Sequence, residues 1–420
     1  MRRPGFLLAL AAAVLFPAAS GAYSFPIRQL TFNDLTKNSI TMNGAVAGWV
    51  SCVPDPVDDW DPLTCEVWVY DADAGGAAHP ITDNAVEDAC VAIDHRDVVF
   101  RRDIGAGQVV LRDLDAGETV LSAAGIDACP QISPTRVIWL RGGQVVVYDR
   151  ALETERVVGA NASYPDLSGD YVVWQEGVDA ASEVWFLDAS SPANLPQRVT
   201  DNAISDERPT VAAITNFIPT PTSYPSVSWY SYVASHYEIV SWNGTTTTPI
   251  TEMSSRSHYF PNVTGYAAGL FFSETPAIAW TPTGPLEVLY CTTCDGDPSN
   301  IHGLPAADPF LAGAPYTNLE AIDGGWLVFQ RIFPAPASQF DIAFFEIDGE
   351  VVTPITDDAP LDDAASLGFR SVPPVGPAVV WRRIVADTSQ IFYAPEPGAA
   401  SLAALLALAA LARRRFSAPG

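Results

Sequence analysis

Short apolar runs rich in Val, Trp and Phe recur along the chain, each bounded by charged or turn-forming residues. One kind reads AVAGWV (45–50), DVVFRR (97–102), RVIWLR (136–141), YVVWQE (171–176), SVSWYS (226–231), GLFFSE (269–274), WLVFQR (326–331) and AVVWRR (378–383). Runs this short, β-branched and aromatic predict strands covered on both faces. A second kind follows most of them, as EVWVYD, QVVLRD, QVVVYD, EVWFLD, LEVLYC and SQIFYA, and its frequent Asp end marks a turn. A third appears as HPITDNA (79–85), QRVTDNA (197–203), TPITEMS (248–254) and TPITDDA (353–359). A segment such as CPQISP, YPDLSG or FPNVTG precedes the next cycle, which makes four strands per unit.

The first kind of run occurs eight times between Tyr23 and Tyr393, or about 46 residues per unit, a spacing within the range of propeller blades. A four-stranded sheet cannot cover both of its faces alone; packing such sheets radially does so and leaves only short edges. The pattern predicts an all-β chain: a single β-propeller of four-stranded blades, eight by this count or seven if the degenerate sixth unit is discounted. RQLTFND (28–34) matches the third kind of run without a unit before it, whereas the last unit stops after SQIFYA. The N-terminal strand is therefore expected to complete the final blade and close the ring, pairing two open edges. The PIT strand, the P-x-x-S-G approach, the VVW strand and the VYD strand together resemble propeller repeats of the TolB type, with WD-like blades. That resemblance spans nearly the whole body and implies a fold, not an activity.

Both ends differ from the body. Arg2 and Arg3, the apolar run Phe6–Leu15 and the small residues Ser20, Gly21 and Ala22 predict a helical signal peptide over 1–22, removed by signal peptidase ahead of Tyr23. The body spans 23–393 and a tail spans 394–420. In the tail, Pro395-Glu396-Pro397 precede an apolar run, Gly398–Ala412, and then Arg413, Arg414 and Arg415. As a helix that run would measure about 22 Å, short of the roughly 30 Å hydrocarbon core. The order of elements resembles the PEP-CTERM sorting signal of Gram-negative bacteria. The resemblance implies a transient inner-membrane helix with its arginines cytoplasmic, recognition by an exosortase-type enzyme, and delivery to the cell surface or extracellular matrix.

Charge narrows the partners. With 49 acidic against 22 basic residues the formal charge is −27, and Lys37 is the only lysine. Such a surface repels phosphate backbones, which excludes nucleic-acid binding. Export makes the six cysteines disulfide candidates. Cys52 and Cys65 flank one loop; Cys90 and Cys129 hold equivalent places before successive units and could bridge neighbouring blades; Cys291 and Cys294 could brace a turn. Spacing alone fixes no connectivity.

The loops leading into each unit are acidic, with Asp34, Asp83, Glu87, Asp88, Asp127, Asp201, Asp206, Glu207, Asp357, Asp358, Asp362 and Asp363. Of these, Asp83, Asp88, Asp127, Asp206, Asp358 and Asp363 are the candidate ligand face, fit for Ca²⁺ or for a cationic or polyhydroxylated partner. The alternative is a solvated acidic rim. Asp295, Asp297 and Ser299 have the alternation of a calcium loop, but Asn300 and Ala306 replace its Gly and Glu, so no EF-hand is predicted. His79, His95, His236, His258 and His302 are scattered, and no Gly-x-Ser-x-Gly or His-Glu-x-x-His motif occurs. Two readings follow: a surface or matrix scaffold that binds exopolysaccharide or another surface protein, or a propeller enzyme (polysaccharide lyase, hydrolase or peptidase-like) with a site assembled from several loops.

Overall fold

The computed structural model describes residues 27–53, 64–104, 107–122, 129–177, 182–216, 222–251, 256–266, 274–282, 288–305, 311, 316–323, 325–332, 339–356, 361–370, 376–385 and 388–395. The predicted signal segment lies outside the described residues, as do Asp127, Asp358, Glu396, Pro397 and Arg413–Arg415. Helical structure among the described residues is limited to one 3₁₀ turn, Pro298–Asn300, and no described helix is long and apolar enough to cross a membrane.

The apolar runs become strands because each exposes a β-branched or aromatic side chain to a neighbour on both faces. Strand β1 is Arg28–Gln29. Blade 1 is β2 to β5, Thr36–Asn43, Val46–Val53, Thr64–Asp71 and His79–Pro80. Blade 2 is β6 to β9, Asp88–Asp94, Asp97–Arg102, Gln108–Asp113 and Gly117–Ser122. Blade 3 is β10 to β13, Gln131–Ile132, Arg136–Arg141, Gln144–Asp149 and Thr154–Val157. Blade 4 is β14 to β17, Ala162–Ser168, Tyr171–Glu176, Glu183–Asp188 and Gln197–Arg198. Blade 5 is β18 to β21, Asp206–Asn216, Thr222–Val233, His236–Trp242 and Thr247–Pro249. Blade 6 is β22 to β25, His258–Tyr266, Thr275–Pro282, Leu289–Cys291 and His302–Gly303. Blade 7 is β26 to β29, Tyr316–Asp323, Trp326–Ile332, Phe340–Glu346 and Val351–Pro354. Blade 8 is β30 to β32, Leu361–Arg370, Gly376–Val385 and Thr388–Pro395, with β1 as its fourth strand.

Every blade is an antiparallel meander, and a single parallel bridge between Phe340 and Leu361 joins blades 7 and 8 into one eight-stranded sheet. The second strand of each blade carries one fully buried aromatic: Trp49, Phe100, Trp139, Trp174, Trp229, Trp280, Phe329 and Trp381. These explain the VVW-like runs. Eight buried apolar clusters lie between successive blades, and one of them joins Ala378, Val380, Ile391 and Tyr393 of blade 8 to Met42, Ala47 and Trp49 of blade 1. No sheet closes on itself; the described sheets form a β-propeller through packing of one blade on the next. At the seam between blades 8 and 1, a Cβ on Gly368 would lie 2.9 Å from the Gly44 carbonyl oxygen, so the close approach requires glycine. There β1 pairs with β32, Arg28 opposite Tyr393 and Gln29 opposite Phe392.

In two places the sequence pattern misled. In the sixth unit the second strand is Thr275–Pro282, containing AIAW, and not GLFFSE; residues 267–273 lie outside the described set. Trp280 decides this, because it occupies the buried aromatic place of the other blades. The last strand also runs past residue 393: Ala394 is fully buried and Pro395 pairs with Ala378, so the body claims two residues assigned to the tail.

A polar chain crosses the blades at a fixed rung. Where the fourth strand or the turn after it carries the threonine of PIT, its hydroxyl accepts the third-strand amide, as Thr82 from Val67 at 2.9 Å, Thr251 from Ile239 at 2.8 Å and Thr31 from Ile391 at 2.9 Å. The same hydroxyls donate to a third-strand acid or amide, Thr200 to Glu183, Thr251 to Glu238 and Thr31 to Gln390. On the innermost strand an acid meets the second strand: Asp88 faces Arg102, Asp206 faces Ser231 and Asp362 faces Arg383. Most of the buried polar groups on this rung are thereby satisfied, Glu66 Oε2 and Trp139 Nε1 being exceptions that find no hydrogen-bond partner among the described residues. The three disulfides are Cys52–Cys65 across β3 and β4, Cys90–Cys129 between blades 2 and 3, and Cys291–Cys294 at a turn.

Candidate functional site

The innermost strands share a defect. In β2, β6, β14, β18 and β30 the pairing register shifts, and one residue within each shift sits in the left-handed region: Ser39, Cys90, Tyr164, Arg208 and Ala364, with φ between 48° and 56°. Left-handed non-glycine residues are uncommon, and a bulge re-aims the side chain it carries. The bulges of blades 4 and 5 set Tyr164 and Arg208 side by side on a cavity of about 330 Å³ that also takes in Gln131, Asp166, Asn262 and Glu320. Five blades contribute to it, which places it on the axis of the ring.

The Arg208 guanidinium stands 4.6 Å from the centre of the Tyr164 ring. Around it a tyrosine cluster extends over blades 5 and 6: Tyr230 lies 4.9 Å from Tyr237 and 5.9 Å from Tyr259, Tyr237 lies 5.0 Å from Tyr259, and Tyr232 lies 4.9 Å from Tyr237. Tyr164 is 48% exposed and Tyr232 44%, so ring surface stays open to solvent. Burial pushes the Tyr230 and Tyr237 phenols up, with the nearby Glu207 carboxylate adding to it in both. These phenols remain neutral donors and acceptors at physiological pH. On the channel wall, Asp166 accepts the Val211 amide at 2.8 Å and Gln131 donates to the Pro165 carbonyl at 3.0 Å. Protein surrounds Asp166 on the sides away from the channel, and this desolvation raises its carboxyl to about 6.

A second cavity, about 640 Å³, is lined by Asn43, Gly44, His95, Asp323 and Gly368 at the turns that end the innermost strands. Burial, with the Glu274 carboxylate adding to it, raises the Asp323 carboxyl to about 6.

The described members of the predicted acidic face do not converge. Asp88 is buried, with Arg102 Nε 2.8 Å away and the Asn84 amide donating at 2.7 Å. Asp206 is buried and accepts from Asn202, Trp229 and Ser231. Asp363 is half-buried and paired with Arg382 at 2.6 Å, while Asp83 is exposed. Among the described residues no three of His, Cys, Asp and Glu converge as a metal-ligand set. In the Cys291–Asn300 turn the carboxylates are spent locally: Asp295 accepts from Asn300 and from the Asp297 amide, and Asp297 accepts the Ser299 amide. Motif reading did not find the tyrosine cluster because its members come from three blades: Tyr230 and Tyr232 share a strand and meet Tyr237 across a hairpin, Tyr259 arrives by blade packing, and Tyr164 stands at a bulge.

No protein-family model matches the sequence, and no curated protein matches it. Solved structures do resemble it in fold. A structure from an analysis of two prolyl endopeptidases matches with a TM-score of 0.52 at 12% identity, covering 83% of this chain and 55% of that one. Porphyromonas gingivalis dipeptidyl peptidase 4 matches with 0.51 at 11% identity, covering 90% and 61%. The computationally designed Ika8 protein matches with 0.50 at 12% identity, covering 87% and 98%. The chain thus spans little more than half the length of the two peptidase chains.

Proposed function

We propose that this chain is an exported binding protein: an eight-bladed propeller, its ring completed by β1, that offers the tyrosine-rich axial rim to a polyhydroxylated ligand of the exopolysaccharide class. The observation that supports this most is the open ring surface of Tyr164 beside Arg208, with a neighbouring cluster of phenols that includes the exposed Tyr232 ring. Aromatic faces flanked by a few polar groups are the usual lining of a small-molecule site. The route outward is the one its ends resemble: signal peptidase removes 1–22, and an exosortase-type enzyme handles the tail at Pro395-Glu396-Pro397 on the way to the cell surface or matrix of a Gram-negative cell. Mass spectrometry of exported protein tests the route, since an intact Arg413–Arg415 end would exclude tail removal.

Binding is tested by titrating the purified chain with neutral and acidic polysaccharides, with and without chelator. Saturable binding that falls at least about tenfold in Tyr164→Ala is expected; unchanged affinity in that variant would discard the rim as the site. A second reading draws on the peptidase neighbours: the propeller acts on peptides itself or serves a hydrolase. Release of product from proline-containing peptides or from polysaccharide by the purified chain would replace the binding-only reading with that one.

A further inference from the structure

A cavity of about 500 Å³ opens in blade 5, away from the axial rim, with Asp206, Ser231 and Glu238 on its polar side and Ile204, Val233 and Val240 among its apolar walls. Ser231 is the cross-strand partner of both acids, Asp206 on the innermost strand and Glu238 on the third. Both carboxylates are buried, and among the described residues both are held by neutral donors or by a histidine. Asp206 accepts from Asn202, Trp229 and Ser231; Glu238 accepts from Thr251 and lies 2.5 Å from His236 Nε2.

Blades 2, 7 and 8 fill this place with an arginine, whereas blades 1 and 4 carry Ser51 and Glu176 there. Arg383 of blade 8 faces Asp362 from the position equivalent to Ser231 and grips it with two bonds, Nε at 2.6 Å and Nη2 at 2.8 Å. Arg102 of blade 2 reaches Asp88 in the same way, at 2.8 and 3.2 Å. In blade 7, Arg331 pairs with Asp341, the cross-strand partner equivalent to Glu238. Blade 4 serves its Glu183 from the fourth strand, with Arg198 at 2.6 Å, and blade 5 has Pro249 at that position. Blade 5 keeps the buried acids of this lock, and the volume of the missing side chain remains as a cavity.

We propose that this cavity receives the guanidinium of an arginine side chain presented by a peptide ligand. A planar fork meets a carboxylate with two bonds, as Arg383 does here, and the apolar walls suit the methylene stem of the same residue. The site is separate from the axial rim and does not depend on the glycan reading.

The test uses the full chain and N-acetyl-L-arginine amide as probe, followed by calorimetry, with the citrulline amide as its neutral isostere. The arginine probe is expected to bind, and the citrulline probe at least about tenfold more weakly. Equal affinities, or no binding of the arginine probe at millimolar concentration, would overturn the proposal. Ser231→Arg should supply the guanidinium internally and abolish binding; a folded Ser231→Arg protein that binds like the parent would also overturn it. Should that variant not fold, Glu238→Gln replaces it, with at least about tenfold weaker binding expected and unchanged binding counting against the site.

Discussion

Blades 5 and 8 share a plan down to single hydrogen bonds and diverge at one rung, Ser231 beside Glu238 in blade 5 and Arg383 beside Gln390 in blade 8. Each buries an aspartate on the innermost strand, Asp206 or Asp362, and each gives it a tryptophan N–H, from Trp229 at 2.9 Å or Trp381 at 3.0 Å. Blade 8 then adds Arg383, whereas blade 5 adds Ser231. The difference separates two uses of one scaffold. With the arginine the rung is a closed internal ion pair; with the serine it is a cavity floored by two acids.

The largest effect should come from making blade 8 resemble blade 5. Arg383→Ser strips the cation from a fully buried Asp362, and breaking a buried pair from one side costs about 3–5 kcal/mol. Urea unfolding followed by tryptophan fluorescence measures this, and a loss below about 1 kcal/mol would mean that the pair is not what secures the blade. Blade 6 supplies a third version of the rung, where His258 accepts from Trp280 at 3.0 Å in place of the aspartate. Burial, then the Arg256 and His236 charges, lowers His258 to about 4. The folded state therefore holds fewer protons than the unfolded state between about pH 6.5 and 4, so its stability falls as pH drops through that window. His258→Asn should reduce the acid-induced loss by about 2–3 kcal/mol, read from the difference between unfolding at pH 7.5 and at pH 4. The buried acids act oppositely: the raised Asp166 carboxyl favours the folded state most at low pH, and that contribution is lost as pH rises through about 6. Comparison with the parent cancels it.

A smaller effect is expected from the threonine common to both blades. Thr251→Val and Thr31→Val each remove an acceptor from a buried amide and a donor to the third strand, for about 1–2 kcal/mol apiece. Similar losses would support a common rung; a loss confined to blade 8 would place its strength in the ion pair. The least disturbing change is Ser231→Arg, which converts blade 5 to the blade 8 design and should shift stability by less than about 1 kcal/mol.

Much of the architecture could be read from the chain because the fold repeats. A buried aromatic in each second strand and a PIT threonine in many blades are strong periodic marks, and equivalent places in successive units suggested the Cys90–Cys129 bridge. The sixth blade escaped because GLFF and AIAW are equally apolar; only the buried place of Trp280 fixes which is the strand. The acidic loops were read as a solvent face because sequence shows charge without direction. The arginines two residues beyond the buried aromatic, Arg102 and Arg383, were the signal that Asp88 and Asp362 point inward. No motif announces the tyrosine rim: only the hairpin contacts of Tyr237 with Tyr230 and Tyr232 are local, and residues 164, 208 and 259 join them through bulges and blade packing.

The pairing of β1 with β32 also sets a clock. Thr31 and Gln390 bond across 359 positions of chain. At ordinary rates of synthesis the first strand therefore waits on the order of 20–70 s for its partner to be made. Until then blade 8 does not exist, blade 1 lacks the neighbour that buries Trp49, and the growing chain is an open stack. The pairing of β1 with β32 and the packing of blade 8 on blade 1 join segments far apart in the chain, so a chain truncated before Thr388 would lose both contacts rather than merely a strand.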